Sequence, residues 1–341
     1  MSSETVLSVR GLTASFGQGD RKLTAVNGVS FDVRKGEVLG LVGESGSGKS
    51  VTLRALTRLL PEGAEVTGQV MWRGRDLVSL PPAALRQVRG GQISMIFQEP
   101  MTALNPVLPV RVQIEENLRA HTGLDAAGRK ARSRELLDLV GIPDAARRLN
   151  EYPHQFSGGM RQRVMIAIAL ASDPDLLLAD EPTTALDVTI QDQILNLILD
   201  LRDELGMSVV FVTHDLGVVA QICDRMAVMY AGRIAEEGPV ADVLAQPHHA
   251  YTLGLLGSVP HAGGERRPLH SIEGTPPGLA AIPPGCAFNP RCGFATSECR
   301  QTLPQLVPSG PARQAACHHR DRVADETTVP IPRAAGSGGG R

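Results

Sequence analysis

No apolar run in this chain is long enough to cross a bilayer. The longest clean stretch, Val164–Ala171, falls far short of the roughly 20 residues a spanning helix needs. The start, Met1 to Arg10, lacks the basic-then-apolar order of a secretory signal, so a cytosolic protein is expected. An excess of one charge is missing too. Lys plus Arg total 34 and Asp plus Glu 36, a formal net charge of −2, and no local basic patch stands out. That excludes a long-range field that would gather nucleic acid or anionic lipid. Five cysteines are few for a disulfide scaffold. No internal repeat is present, and 42% hydrophobic with 21% charged residues is ordinary globular usage, which excludes a wholly disordered or collagen-like chain. Dividing 341 residues by a typical domain of about 150 leads to an expectation of two domains.

Up to about Pro260, apolar runs of strand length alternate with helical patterns, the pattern of an α/β domain on a largely parallel sheet. Val38–Val42, Ile93–Phe97, Leu176–Ala179 and Val209–Val212 read as buried strands. Val26–Val33 and Arg225–Glu237 read as antiparallel pieces, the second turning near Ala231-Gly232. Between Pro100 and Asp175 helical periodicity takes over, as in Ala131–Val140 and Val164–Ala171, which predicts a helical insertion. After Tyr251 the composition shifts: half of the 24 prolines lie beyond it, and a separate loop-rich appendage is expected. The final Gly-Ser-Gly-Gly-Gly run reads as the end of a disordered tail.

Gly43-Glu44-Ser45-Gly46-Ser47-Gly48-Lys49-Ser50 follows a predicted strand and opens a helical segment from Ser50 to Leu60 that stops at Pro61. Glycines there let backbone N–H groups turn inward, and the helix start adds positive potential. Lys49 can reach terminal phosphates, and Ser50 can hold Mg²⁺. The apolar run Leu176–Ala179 ends in Asp180-Glu181. Asp180 can sit beside the Mg²⁺ at Ser50, and Glu181 can polarise an attacking water. These two pieces fit many nucleotide hydrolases, including kinases, GTPases and recombination motors. The discriminating third is Phe156-Ser157-Gly158-Gly159-Met160, where Ser157 can cap an apolar helix and present a second phosphate-binding end.

Taken in order, the phosphate loop Gly43 to Val51, Gln98, the Ser157-Gly158-Gly159 signature, Asp180-Glu181, Ala185-Leu186-Asp187 and His214 resemble the ATP-binding cassette family over roughly residues 5 to 250. Phe16 stands where many members stack adenine on tyrosine, and Phe156 and Met160 replace the commoner leucine and glutamine. The resemblance implies an α/β P-loop NTPase domain with a helical and an antiparallel β subdomain, over residues 1–255 with the helical part at about 100–175. It implies ATP hydrolysis with Mg²⁺, and two such domains head to tail with each ATP between one loop and the other's signature. Lys49 and Ser50 would bind phosphate and Mg²⁺, with Gln98 and Asp180 also on the metal. Glu181 would be the general base and His214 would fix the γ-phosphate and water. Ser157 and Gly159 would act on the partner's ATP, with Gly158 and Asp187 also at the nucleotide.

Cys286, Cys292, Cys299 and Cys317 place four soft ligands where little apolar core is available. Cytosolic redox conditions disfavour disulfides, so iron–sulfur or structural zinc is expected. Cys223 reads instead as a small core residue. Pro247–Thr252, Ser258-Val259-Pro260, Ile272-Glu273-Gly274, Pro284–Cys292 and Gln98–Pro106 look like oligopeptide and dipeptide importer ATPases. That resemblance implies a regulatory or metal-binding extension over 256–325 and a tail over 326–341. It ranks a [4Fe-4S] cluster first, zinc second and unliganded thiols third. It further implies peptide import from the cytoplasmic face of the inner membrane, with a second, related ATPase chain, two permease subunits that dock around Glu99 to His121, and an extracytoplasmic binding protein. Nickel, oligosaccharide or opine import, a soluble cassette protein of ribosomes or DNA, and a module that holds ATP without turnover are the alternatives.

Overall fold

The computed structural model describes residues 4–17, 19, 22–99, 103–184, 186–258 and 272–326. Two sheets organise it. Strands β1 (Thr5–Phe16), β2 (Leu23–Arg34), β4 (Glu65–Trp72) and β5 (Arg75–Asp76) form an antiparallel sheet in the order β2-β1-β4-β5. A larger sheet takes β3 (Val38–Val42), β6 (Ile93–Ile96), β7 (Leu176–Asp180), β8 (Ser208–Thr213), β9 (Arg225–Tyr230), β10 (Arg233–Pro239), β11 (Val307–Gly310) and β12 (Arg313–Ala315). Its order is β11-β12-β10-β9-β3-β8-β7-β6.

The residue patterns explain which sheet each strand joins. Strands β3, β7 and β8 are buried at every position, as a parallel strand covered on both faces must be. Neighbours from β9 through β6 run parallel. Strand β1 instead alternates buried and accessible positions, because only one face of the antiparallel sheet meets the core. One apolar core joins that face to the large sheet through Leu7, Val9, Phe31, Leu39, Leu41, Leu53, Trp72 and Val210. A second core packs the other face beneath helices Val110–His121, Ala126–Leu139, Gly158–Ala169 and Val188–Leu205.

The four expected buried strands are present, β6 ending at Ile96 and β7 and β8 a residue or so longer than expected. The hairpin β9–β10 turns at Ala231 (φ 46°) and Gly232 (φ 77°), the paired positive φ of a tight two-residue turn. The helix after the phosphate loop runs Lys49–Leu56, shorter than its expected stop at Pro61. The appendage is less separate than its composition suggests. Strand β12 pairs with β10 (Glu236 opposite Ala315, Glu237 opposite Gln314) and extends the large sheet. A third core, with Tyr230, Tyr251, Val323 and Phe288, joins the appendage to that sheet's edge. The expected tail beyond Glu326, Pro100 to Thr102 and Ala185 lie outside the described residues.

Candidate functional site

The loop between β3 and helix Lys49–Leu56 is shaped by backbone contact. Gly43 (φ 153°) and Gly48 (φ 102°) lie in conformations that disfavour a side chain. A Cβ at Gly43 would stand 2.3 Å from the Met229 carbonyl oxygen, and one at Gly48 2.7 Å from that of Ala25. The loop is thus pressed onto β9 and β2, with Ser45 and Gly46 exposed at its crest. Lys49 Nζ curls back and donates to the carbonyls of Gly43 (2.7 Å) and Glu44 (2.9 Å). Burial lowers the Lys49 pKa, opposed by the charges of Glu181, Asp180 and Glu44.

Ser50 Oγ donates to Asp180 Oδ1 at 2.7 Å. Asp180 is fully buried, and burial pushes its carboxyl pKa up. Its Oδ2 has no hydrogen-bond partner, with Arg54 Nη2 standing 3.9 Å away. A buried carboxylate with one oxygen uncommitted, beside a serine hydroxyl, is the oxygen donor set a hard cation such as Mg²⁺ takes.

The parallel order β3-β8-β7-β6 brings strand C-termini together, where open α/β sheets place their ligands. Gln98 follows β6, Glu181 follows β7 and His214 follows β8. The three meet at one atom. Glu181 Oε2 accepts from Gln98 Nε2 (3.2 Å) and from Thr184 Oγ1 (2.9 Å), and His214 Nδ1 lies 3.4 Å away. Glu181 has φ 47°, a strained setting for a glutamate of the kind that gathers at functional sites. Its N–H is tied to the Val212 carbonyl at 3.0 Å. Thr184 belongs to none of the sequence motifs, although it stands only three residues beyond Glu181.

The signature turn is built otherwise. Ser157 caps helix Gly158–Ala169, its Oγ accepting from Met160 N–H at 3.3 Å. Ser157 and Gly158 are exposed. A Cβ on Gly159 would stand 2.7 Å from Ile190 Cγ2, so the start of helix Val188–Leu205 approaches closely. Asp187 caps that helix, accepting from Ile190 N–H at 3.0 Å, and Val188 beside it is 83% exposed. Phe16, at the end of β1, and Val51, in the helix after the loop, are half-buried.

The five cysteines are free thiols. Cys223 packs under β3, where a Cβ on Gly40 would stand 3.0 Å from its Sγ, and burial pushes its thiol up. Cys286, Cys292, Cys299 and Cys317 all lie within electrostatic reach of one another. Burial, with the other thiols adding, pushes Cys286 up to about 11, and burial raises Cys292 and Cys317 as well. Backbone N–H groups of Phe288, Phe294 and His319 bond the sulfurs of Cys286, Cys292 and Cys317. Among the described residues, however, no group of three or more His, Cys, Asp or Glu side chains is placed to hold a metal ion. The expected [4Fe-4S] cluster, or zinc as its alternative, is therefore not shown by this geometry.

Comparison with known proteins agrees with the site. Residues 26–184 match the family model described as ABC transporter. Along 328 residues the chain is 48% identical to the dipeptide transport ATP-binding protein DppD of Bacillus subtilis, covering 96% of this chain and 98% of that protein. The chain belongs to the ABC transporter family. Residues 235–299 of this ABC ATPase match the C-terminal region of oligopeptide/dipeptide transporters. It is 49% identical over 302 residues to the oligopeptide transport ATP-binding protein OppD of Haemophilus influenzae, covering 89% of this chain and 93% of that one. Among solved structures, the ATP-binding cassette MJ0796 in a dimeric post-hydrolysis state with ADP and phosphate aligns with a TM-score of 0.62 at 30% identity. That alignment spans 69% of this chain and 98% of the other. The ABC ATPase hydrolyses ATP. Among the described residues, no helix is long and apolar enough to cross a membrane.

Proposed function

We propose that this ATPase energises import of di- and oligopeptides across the cytoplasmic membrane, as a peripheral subunit on its cytoplasmic face. Its assembly would contain a second ATPase chain, two membrane-spanning permease subunits and an extracytoplasmic binding protein. The observation that carries the reading is the C-terminal match at residues 235–299, added to near-half identity with peptide transport ATPases over most of the chain. Phe97 (40% exposed), next to Gln98 in sequence, and Val107 (74% exposed) are exposed apolar side chains near the start of the helical insertion, where permease helices would dock.

The proposed mechanism follows from the charges. Lys49 and the loop N–H groups take the terminal phosphates. Ser50 and Asp180 would hold Mg²⁺ with Gln98 nearby, and the metal when bound would neutralise phosphate charge. Glu181 accepts a proton from the attacking water, and Gln98, Thr184 and His214 fix the orientation of its carboxylate. Ser157, Gly158 and Gly159 of one chain would complete the pocket built on the other chain's loop. This division is supported by the exposure of Ser157 and Gly158 and by the dimeric ADP-bound relative. Glu181→Gln in the assembled transporter should cut turnover by about 10²–10⁴ while ATP still binds. Unchanged turnover would reject the base. Peptide uptake by reconstituted assembly, competed with nickel, oligosaccharide or opine, tests the cargo; uptake insensitive to peptide would reject it.

The finer reading of the appendage, a [4Fe-4S] cluster on Cys286, Cys292, Cys299 and Cys317, is likewise a proposal. Its support is the mutual reach of the four thiols and the N–H groups already directed at three sulfurs. Iron, sulfide and zinc assays after anaerobic purification test it, and one equivalent of zinc without iron would overturn it.

A further inference from the structure

Arg291 links the appendage to the phosphate loop. It ends the short turn Asn289–Arg291, and its side chain is only 5% exposed. Its Nη1 and Nη2 donate to Glu44 Oε2 (2.7 Å) and Oε1 (3.0 Å), a two-pronged pairing that fixes direction as well as distance. Nε donates to the Glu273 carbonyl at 3.0 Å, and Tyr230 Oη stands 3.4 Å from Nη1. With its guanidinium so committed, Arg291 cannot swing away without breaking several bonds together.

Glu44 is the second residue of the phosphate loop. Its N–H donates to Tyr251 Oη at 2.7 Å, and its carboxylate lies within the field of Lys49, the ammonium that must meet the phosphates. An unpaired carboxylate in that place would weaken the pull of Lys49 on an anion and repel the phosphates themselves. Arg291 cancels that charge and holds it to one side. We propose that Arg291 is a positioning residue of the nucleotide site: its ion pair with Glu44 makes the phosphate loop receptive to a nucleoside triphosphate, so the appendage is a working part of the ATP pocket. The inference rests on the ATPase reading.

The test is equilibrium binding of a fluorescent ATP analogue with Mg²⁺ to the full chain, together with ATP turnover by the assembled complex. Arg291→Met should weaken binding by about tenfold and raise KM for ATP by a similar factor, with kcat moving much less. Arg291→Lys keeps the charge without the fork and should fall between Arg291→Met and the unaltered chain. The decisive variant is Arg291→Met combined with Glu44→Gln. It removes both charges and should recover most of the lost affinity, a rescue that a merely structural role for Arg291 does not provide. Wild-type affinity in Arg291→Met, or a double variant that binds no better than the single one, overturns the proposal. If Arg291→Met does not fold, the double variant alone decides: near-wild-type affinity supports the proposal and tenfold weaker binding overturns it. A wild-type chain that binds no nucleotide would instead overturn the ATPase reading.

Discussion

The phosphate loop and the signature turn both offer backbone N–H groups at a helix start, yet they are held in opposite ways. The loop is pressed against β9 and β2, its lysine is buried, and Glu44 is gripped by Tyr251 and Arg291. The signature turn has Ser157 and Gly158 exposed, with the almost fully exposed Val188 beside its neighbouring helix start. A surface that binds ATP without help must be preorganised before the nucleotide arrives. One that closes over ATP held by another chain must stay accessible until docking. The two ends differ as the halves of a divided pocket should.

The sharpest way to break this contrast is to damage one end and read the other. Gly159→Val, which also collides with Ile190, should lower turnover of the assembled complex by about 10²–10³, while ATP binding to the isolated chain is retained. Lys49→Ala should lose the binding itself. If Gly159→Val abolishes binding to the isolated chain, the division is wrong.

Acid should destabilise the fold through the start of the helix that carries Tyr251. His249 is buried, and burial lowers its pKa to about 4 from an ordinary 6.5. Its Nδ1 accepts from Tyr251 N–H at 3.0 Å, and its backbone N–H donates to Glu236 Oε2 at 3.0 Å. The unfolded chain takes up a proton below about pH 6.5, whereas the folded chain does so only near 4. The stability linked to this group is therefore fully present above 6.5 and is lost as pH falls toward 4, by up to about 3 kcal/mol. Thermal unfolding between pH 7.5 and 4.5 should show that slope, and His249→Gln should flatten it.

Smaller effects sharpen the picture at single atoms. Asp180→Asn should raise the Mg²⁺ concentration needed for half-maximal turnover by about tenfold, because it removes the charge of the uncommitted oxygen. Phe16→Ala should weaken ATP binding by about fivefold, the lower end for loss of one base-stacking ring. An unaltered Mg²⁺ requirement or unaltered affinity would remove the residue from the site.

What could be read in the sequence was what lies close along it. The phosphate loop, the acidic end of β7 and the Ser157 cap are each complete within a few residues, and the continuous burial of β3, β7 and β8 leaves an apolar run that needs no partner to recognise. Strands β1 and β4 went unread because many of their positions are accessible, which hides them among polar segments. Strand β12 has three residues and is defined by its pairing with β10 rather than by any pattern of its own. The braces on Glu44 come from 207 and 247 residues away, and only the folded sheet brings Tyr251 and Arg291 to the loop. The cysteine spacing suggested metal, but spacing does not set side-chain placement, and among the described residues no group of three or more His, Cys, Asp or Glu side chains is placed to hold an ion.

The direct test traps nucleotide with vanadate in the assembled transporter, using a photoreactive ATP, with Gly159→Val carried by this chain only. Label should vanish from the companion ATPase subunit and persist on this one. Loss of label from this chain alone, with the companion still labelled, would show each subunit enclosing its own ATP and would contradict the divided pocket.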